Sequence, residues 1–387
     1  MTRQADCTLS PALLEQLAAE GLDALPDLIR IMINTAMQAE RQTHLGAAPY
    51  ERSPERHGYA NGYKPKTVTT RVGNITFAVP QVRDSTFYPQ VLEKGLRSER
   101  ALTLALAEMY VQGVSTRKVA AITEQLCGTS VSSAQVSRAA AQLDAVLEAW
   151  RVRPLGVFPY LYLDARYEKV RQDGHVRDAA VLIASGVDTL GKRRLVGISV
   201  ALREHEVHWR MFLQTLVARG LSGVQLVMSD AHAGLQAART AVLGGVPWQR
   251  CQFHLQQNAQ AYVPRLDMKR EVAADIRAIF NAPSRLEAEA LLTKIVQKYG
   301  KTAARLATWL ESNLAQGLTV FAFPEAHRRL LRTTNGLERV NQEIRRRTRV
   351  VSIFPNERAC LRLVTAIAME ISEEWEASKA YLSFSAT

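Results

Sequence analysis

Residues 157–165, VFPYLYLDA, and 224–230, VQLVMSD, decide the fold, because each is a short apolar run that follows a glycine and closes on an aspartate. Runs of this length without helical spacing read as buried strands. Three more follow the same reading: 179–187, 194–201 and 247–253. Between them, 207–219 and 233–243 carry apolar residues at helical spacing. The order is β-β-β-α-β-α-β, which predicts a mixed sheet covered by helices. Asp164 and Asp230 then stand at the C-terminal ends of strands, an edge that carries ligands in such sheets.

A third acid lies far along the chain. In TTNGLERVNQEIRRRTR (333–349) the stripe Leu337, Val340 and Ile344 marks the buried side of a helix. Glu338 faces away from that stripe, with Asn335, Asn341 and Arg345 as its helical neighbours. Three carboxylates brought together from two strand ends and a helix can hold two divalent ions, one activating an attacking oxygen and one stabilising the leaving oxygen. The same positions allow plainer roles, since Asp230 also stands where it would cap a helix starting at Ala231.

The 387 residues carry a net charge of +12, with 47% hydrophobic content. That content supports folded cores and excludes a disordered chain. The charge is unevenly placed: residues 1–40 hold two basic against six acidic residues, whereas 325–358 hold nine arginines against four glutamates. Such blocks attract polyphosphate or keep a surface soluble. No uncharged apolar stretch approaches the length of a membrane span, and Cys7, Cys127, Cys251 and Cys360 form no paired framework, so the cytoplasm is expected.

Toward the N-terminus, residues 9–44 read as helix and 57–80 as a β-hairpin with Lys64, Lys66 and Arg71 in a basic, aromatic tip beside Tyr59 and Tyr63. Ser115 opens a helix with Arg117 and Lys118, Gly128 breaks it, and Ser132 or Ser133 starts another toward Trp150 that carries Arg138. Helix, glycine turn, helix fits a DNA-binding pair and equally an ordinary helical hairpin. Residues 255–333 are helical in pattern throughout. The expected regions are 1–98, 99–150, 151–254, 255–333 and 334–387.

Several stretches resemble motifs of the Mutator-type transposases of bacterial insertion sequences: LDARYEKVR (163–171), SDAHAGLQAA (229–238), WQRCQFHLQQNA (248–259) and TTNGLERVNQEIRRRTRVVSIFPNE (333–357). HLGAAPYERSPERHGYANGY (44–63) and EMYVQGVSTRKVAAITEQLCGTSVSSAQVSR (108–138) extend the resemblance over nearly the whole chain. It implies a ribonuclease-H-like α/β catalytic domain with an all-helical insertion, behind a mainly helical DNA-binding region. It further implies that Asp164, Asp230 and Glu338 are a catalytic, metal-holding triad, with Cys251, His254, Arg339, Asn335 and Asn341 around it. The implied cofactor is Mg²⁺ or Mn²⁺, as two ions, with no nucleotide. The implied partners are the element's terminal inverted repeats and target DNA, bound by a homodimer or larger assembly on the bacterial nucleoid. Arg345, Arg346, Arg347 and Arg349 would meet the DNA backbone after Glu338. Gly336 departs from the pattern, since a larger apolar residue often stands there, and LREHEVHW (202–209) is only loosely similar.

Other chemistries fit less well. Cys251 and His254 have half of a zinc site's spacing without a second pair, and His205 and His208 are too close for the H-E-x-x-H motif. No glycine-rich phosphate loop is present. Trp309 reads as core. The rival function is a non-catalytic, transposase-derived DNA-binding regulator, for which three intact acids have no use.

Overall fold

Two compact units make up the computed structural model, Met1–Gln142 and Leu143–Thr387; it describes residues 11–83, 86–95, 97–128 and 130–384. Cys7, Leu9 and Ser10 lie outside the described residues. In the first unit the helix expected over 9–44 is two helices, α1 (Pro11–Glu20) and α2 (Leu25–Leu45). Gly21, at φ 59°, takes the left-handed conformation that ends α1 and opens the short turn Gly21–Ala24.

The hairpin is present as β1 (Ala60–Thr70) and β2 (Gly73–Val82), antiparallel around Arg71–Val72. Its alternation buries Val68, Ile75, Phe77 and Val79 against Met37 of α2. Arg71 sits at the turn, whereas Tyr63 and Lys64 lie toward the open end, where β1 begins, so the expected basic tip is split between opposite ends. Three helices follow: α3 (Arg100–Val111), α4 (Thr116–Cys127) and α5 (Ser133–Ala141). Ser115 caps α4, Gly128 at φ 59° ends it, and Ser132 with Gln135 forms a capping box on α5. The predicted helix toward Trp150 stops at Ala141. The chain restarts in the second unit as α6 (Asp144–Val152), whose Asp144 accepts from Arg362 Nε at 2.6 Å.

In the second unit β3 (Tyr160–Gln172), β4 (His175–Val187) and β5 (Arg193–Ala201) are followed by α7 (Glu206–Ala218), β6 (Leu226–Ser229), α8 (Ala233–Val242) and β7 (Trp248–Arg250). They form a five-stranded mixed sheet in the order β5-β4-β3-β6-β7, with β3, β4 and β5 antiparallel and β6 and β7 parallel to their neighbours. Trp209, Phe212, Leu213 and Leu216 of α7 and Leu235 of α8 close one face over Leu161, Leu163, Leu182 and Val227.

Three strands differ from expectation. β3 and β4 run on as a charged arm to an Asp173–Gly174 turn at φ 49° and 79°, because cross-strand pairing continues past the apolar run. β7 ends at Arg250 instead of Phe253, and α9 (Gln252–Ala259) starts at once. Next come α10 (Met268–Phe280), α11 (Arg285–Gly300), α12 (Ala304–Asn313) and α13 (Glu325–Leu331), helical as expected. The unit closes with α14 (Asn335–Val351) and α15 (Glu357–Ala377), separated at the expected Phe354-Pro355 break. Among the described residues no helix is long and apolar enough to cross a membrane.

Trp209 is fully buried at the centre of the α7 face. Trp209→Ala is expected to cost about 3–5 kcal/mol in urea unfolding of the second unit, through lost burial and the cavity left behind.

Candidate active site

Asp164 lies just beyond the last β3–β6 pair, Tyr162 with Met228, and Asp230 directly follows β6. Parallel pairing of the two strands therefore sets their carboxylates side by side. Burial first, and the Asp230 charge second, push the Asp164 carboxyl up to about 6. Two bonds oppose that rise: Ala165 N–H donates to Asp164 Oδ1 at 2.9 Å, and Asn341 Nδ2 donates to Oδ2 at 2.7 Å.

Cys251 and His254 join Asp230 because β7 lies beside β6 and turns into α9 immediately after Arg250. His254 pairs with Asp230 through Nδ1, and this bond, followed by the one to Cys251, raises the imidazole to about 10 despite burial. Burial acts to raise the Cys251 thiol, but bonds with His254 and Thr334 outweigh it and leave the thiol below its ordinary value. One donor atom from each of Asp230, Cys251 and His254 lies within 4.8 Å of the other two.

Glu338 is half-buried in the first turn of α14, above a stripe of Leu337, Val340 and Ile344 that is fully buried as predicted. The helix is docked on β3 by three side chains on one edge. Asn341 bonds Asp164, Arg166 donates to the Asn341 carbonyl, and Thr348 donates to Glu168 at 3.0 Å. Glu338 and Asn341 stand three positions apart on α14 and so share a helix face.

Arg339, Arg345, Arg346 and Arg349 are exposed on α14, as is Asn335. Arg347 is not. Only 4% exposed, it donates to Glu370 of α15 at 3.0 Å, because its position on the helix turns inward. In the first unit Lys64, Arg117, Lys118 and Arg138 are exposed, and Arg71 is exposed while bonded to Glu99. Lys66 is committed to Tyr88 Oη at 2.8 Å and the Glu93 carbonyl at 2.9 Å. Trp309 stacks on Tyr262 at 5.4 Å and is half-buried.

Sequence reasoning missed Arg166 and Thr334. Arg166 stands two positions after Asp164 on one strand face, a period-two signal that was available. Thr334 Oγ1 reaches Cys251 Sγ at 3.5 Å across the returning chain, a contact without any local signal.

The acid pair offers hard carboxylate oxygens, and beside it Asn341 Oδ1 is buried without a hydrogen-bond partner. That donor set fits magnesium or manganese. The Asp230, Cys251 and His254 group mixes oxygen, sulfur and nitrogen, but its thiol is fully buried and already bonded to Thr334.

Over residues 1–378 the chain matches the family profile "Transposase, Mutator family". It is 59% identical to the transposase for insertion sequence element IS406 of Burkholderia multivorans, over 95% of both chains. It is 44% identical to the transposase for ISRM5 of Rhizobium meliloti, over 99% of this chain and 96% of that one. Against the transposase for IS256 in transposon Tn4001 of Staphylococcus aureus the identity is 37%, over 94% of both.

The inward position of Arg347 has a measurable consequence. Arg347→Ala is expected to lower unfolding free energy by about 2 kcal/mol, because a charge-assisted pair to Glu370 is lost from a buried site. Exposed Arg345→Ala should stay within about 0.5 kcal/mol of wild type in the same urea titration.

Proposed function

Because the chain belongs to the Mutator family of transposases, we propose that it cuts the ends of an insertion sequence element and joins them to target DNA at the acids Asp164, Asp230 and Glu338. The observation that carries this reading is the adjacency of Asp164 and Asp230, with the Glu338 helix docked on the same strand through Asn341. The order β5-β4-β3-β6-β7, followed by a helix bearing the third acid, supports a ribonuclease-H-like domain.

In cleavage a water oxygen bonds to phosphorus while the bond to the 3′ oxygen breaks, leaving a 3′-hydroxyl. In joining, that hydroxyl oxygen bonds to a target phosphorus and the target's 3′ oxygen leaves. Asp164, Asp230 and Glu338 would hold two magnesium or manganese ions, which when bound acidify the attacking oxygen and take up charge on the leaving one. Asn341 holds Asp164 in one orientation and His254 does the same for Asp230. Glu338 completes the set and takes up the proton released by the attacking oxygen. Arg339, Arg345, Arg346 and Arg349 neutralise phosphates of the incoming backbone, without which an acidic site would repel DNA.

The first unit reads the terminal inverted repeats through α4 and α5, with Arg117, Lys118 and Arg138 on backbone phosphates and the hairpin contributing Lys64 and Arg71. Two ends must be held together for joining, so the working form is a homodimer or larger assembly on DNA.

Cleavage of a labelled element end with Mg²⁺ or Mn²⁺ tests the reading. Asp164→Asn, Asp230→Asn and Glu338→Gln should each cut about a thousand-fold more slowly while still binding the end. A wild type that cuts no faster than Asp230→Asn would overturn it in favour of a DNA-binding regulator, and nicks without joined products would reduce it to a nuclease.

A further inference from the structure

Arg193, the first residue of β5, has no carboxylate partner among the described residues. Its guanidinium lies 3.4 Å from the ring centroid of Trp375 and 4.7 Å from that of Tyr381. The hydroxyls of Tyr381 and of Tyr162 on β3 both lie within electrostatic reach of it, and the Tyr162 hydroxyl donates to the Leu330 carbonyl at 3.1 Å. Tyr162 stands two positions before Asp164. On its other side the guanidinium presses on the start of α14: a Cβ built on Gly336 would overlap Arg193 Nη1, with Cζ at 3.5 Å. Gly336 stands two positions before Glu338.

The tail that brings Tyr381 here is itself anchored. Tyr381 N–H donates to the Gly191 carbonyl at 2.8 Å, the Ser383 carbonyl meets His327 Nε2 at 2.8 Å, and Phe384 stacks on Tyr160 at 5.5 Å. A guanidinium at a helix N-terminus opposes the helix dipole, and here it also faces the like charge of Arg339. Its position is therefore set by the aromatic cage and not by attraction to the helix.

We propose that Arg193, caged by Trp375 and Tyr381, is a positioning residue that fixes the spacing between the stretch of β3 bearing Asp164 and the α14 start bearing Glu338, and that Gly336 is the residue this close approach requires. This rests on the reading of the two acids as metal holders. Helix propensity alone makes the opposite prediction, that alanine at 336 improves the helix.

The test titrates Mn²⁺ by electron paramagnetic resonance into the full chain and five variants, with thermal unfolding of the metal-free proteins alongside. Gly336→Ala and Arg193→Lys should each weaken Mn²⁺ binding about ten-fold, the scale of losing a group that orients a ligand. Adding Gly336→Ala to Arg193→Lys should cost less than about two-fold more, since the shorter ammonium vacates the space. Tyr381→Phe, which removes only a hydroxyl, should weaken binding in the same direction and would carry the test if Gly336→Ala failed to fold. Wild-type affinity in Gly336→Ala, full additivity of the two losses, or a loss explained by a matching drop in thermal midpoint would each overturn the clamp. Asp164→Asn is the control that separates the two readings. If it bound Mn²⁺ as wild type does, the metal reading would fall and the clamp with it; wild-type binding by Gly336→Ala beside a failing Asp164→Asn would remove the clamp alone.

Discussion

The second unit depends on the docking of α14 against the outer stretch of β3. β6 pairs with β3 only as far as Tyr162, so the strand edge beyond it is open. Asn341, Arg166 and the Thr348–Glu168 bond fill that edge with side chains, and Phe354 N–H donates to the Lys169 carbonyl at 2.8 Å. An unpaired strand edge in a protein interior would leave backbone and carboxylate groups without partners. Side chains and backbone between Asn341 and Phe354 supply partners along that edge and hold α14, which carries Glu338, against β3.

The same economy governs the helical insertion. It leaves the sheet after Cys251 and returns at Thr334, and its two ends touch: Gln252 N–H donates to the Arg332 carbonyl at 2.9 Å, and Thr334 bonds Cys251. An insertion whose ends meet leaves the surrounding geometry nearly undisturbed whatever its length. Gln249 ties the base of the insertion down, donating to the Gly317 carbonyl at 2.9 Å and accepting from Val320 N–H at 2.7 Å.

The positive charge that the sequence concentrates after Glu338 divides once the helix is in place. Arg345, Arg346 and Arg349 remain exposed, whereas Arg347 turns into the α14–α15 contact and serves stability. In the proposed reaction the exposed three offset the repulsion between an acidic site and a phosphate backbone.

Much was legible in the sequence where the physics is local. Apolar runs marked the buried strands, the Leu337, Val340 and Ile344 stripe oriented Glu338, and Ser115, Gly128 and Ser132 punctuated the first unit's helices. Asp230 stands at a strand end as expected, whereas Asp164 lies inside β3, because pairing with β4 carries that strand on to Gln172. The charged arm 166–178 escaped notice because its pairing is cross-strand and leaves no apolar alternation. By itself the sequence determined the element order, which follows from periodicity, and the family, which follows from its motifs. Only the tertiary structure decided that Asn341 and Asp164 meet, that Arg347 is inward and that Arg193 occupies the space beside Gly336. Those are contacts between residues far apart in the chain, and no local pattern encodes a partner that only packing brings near.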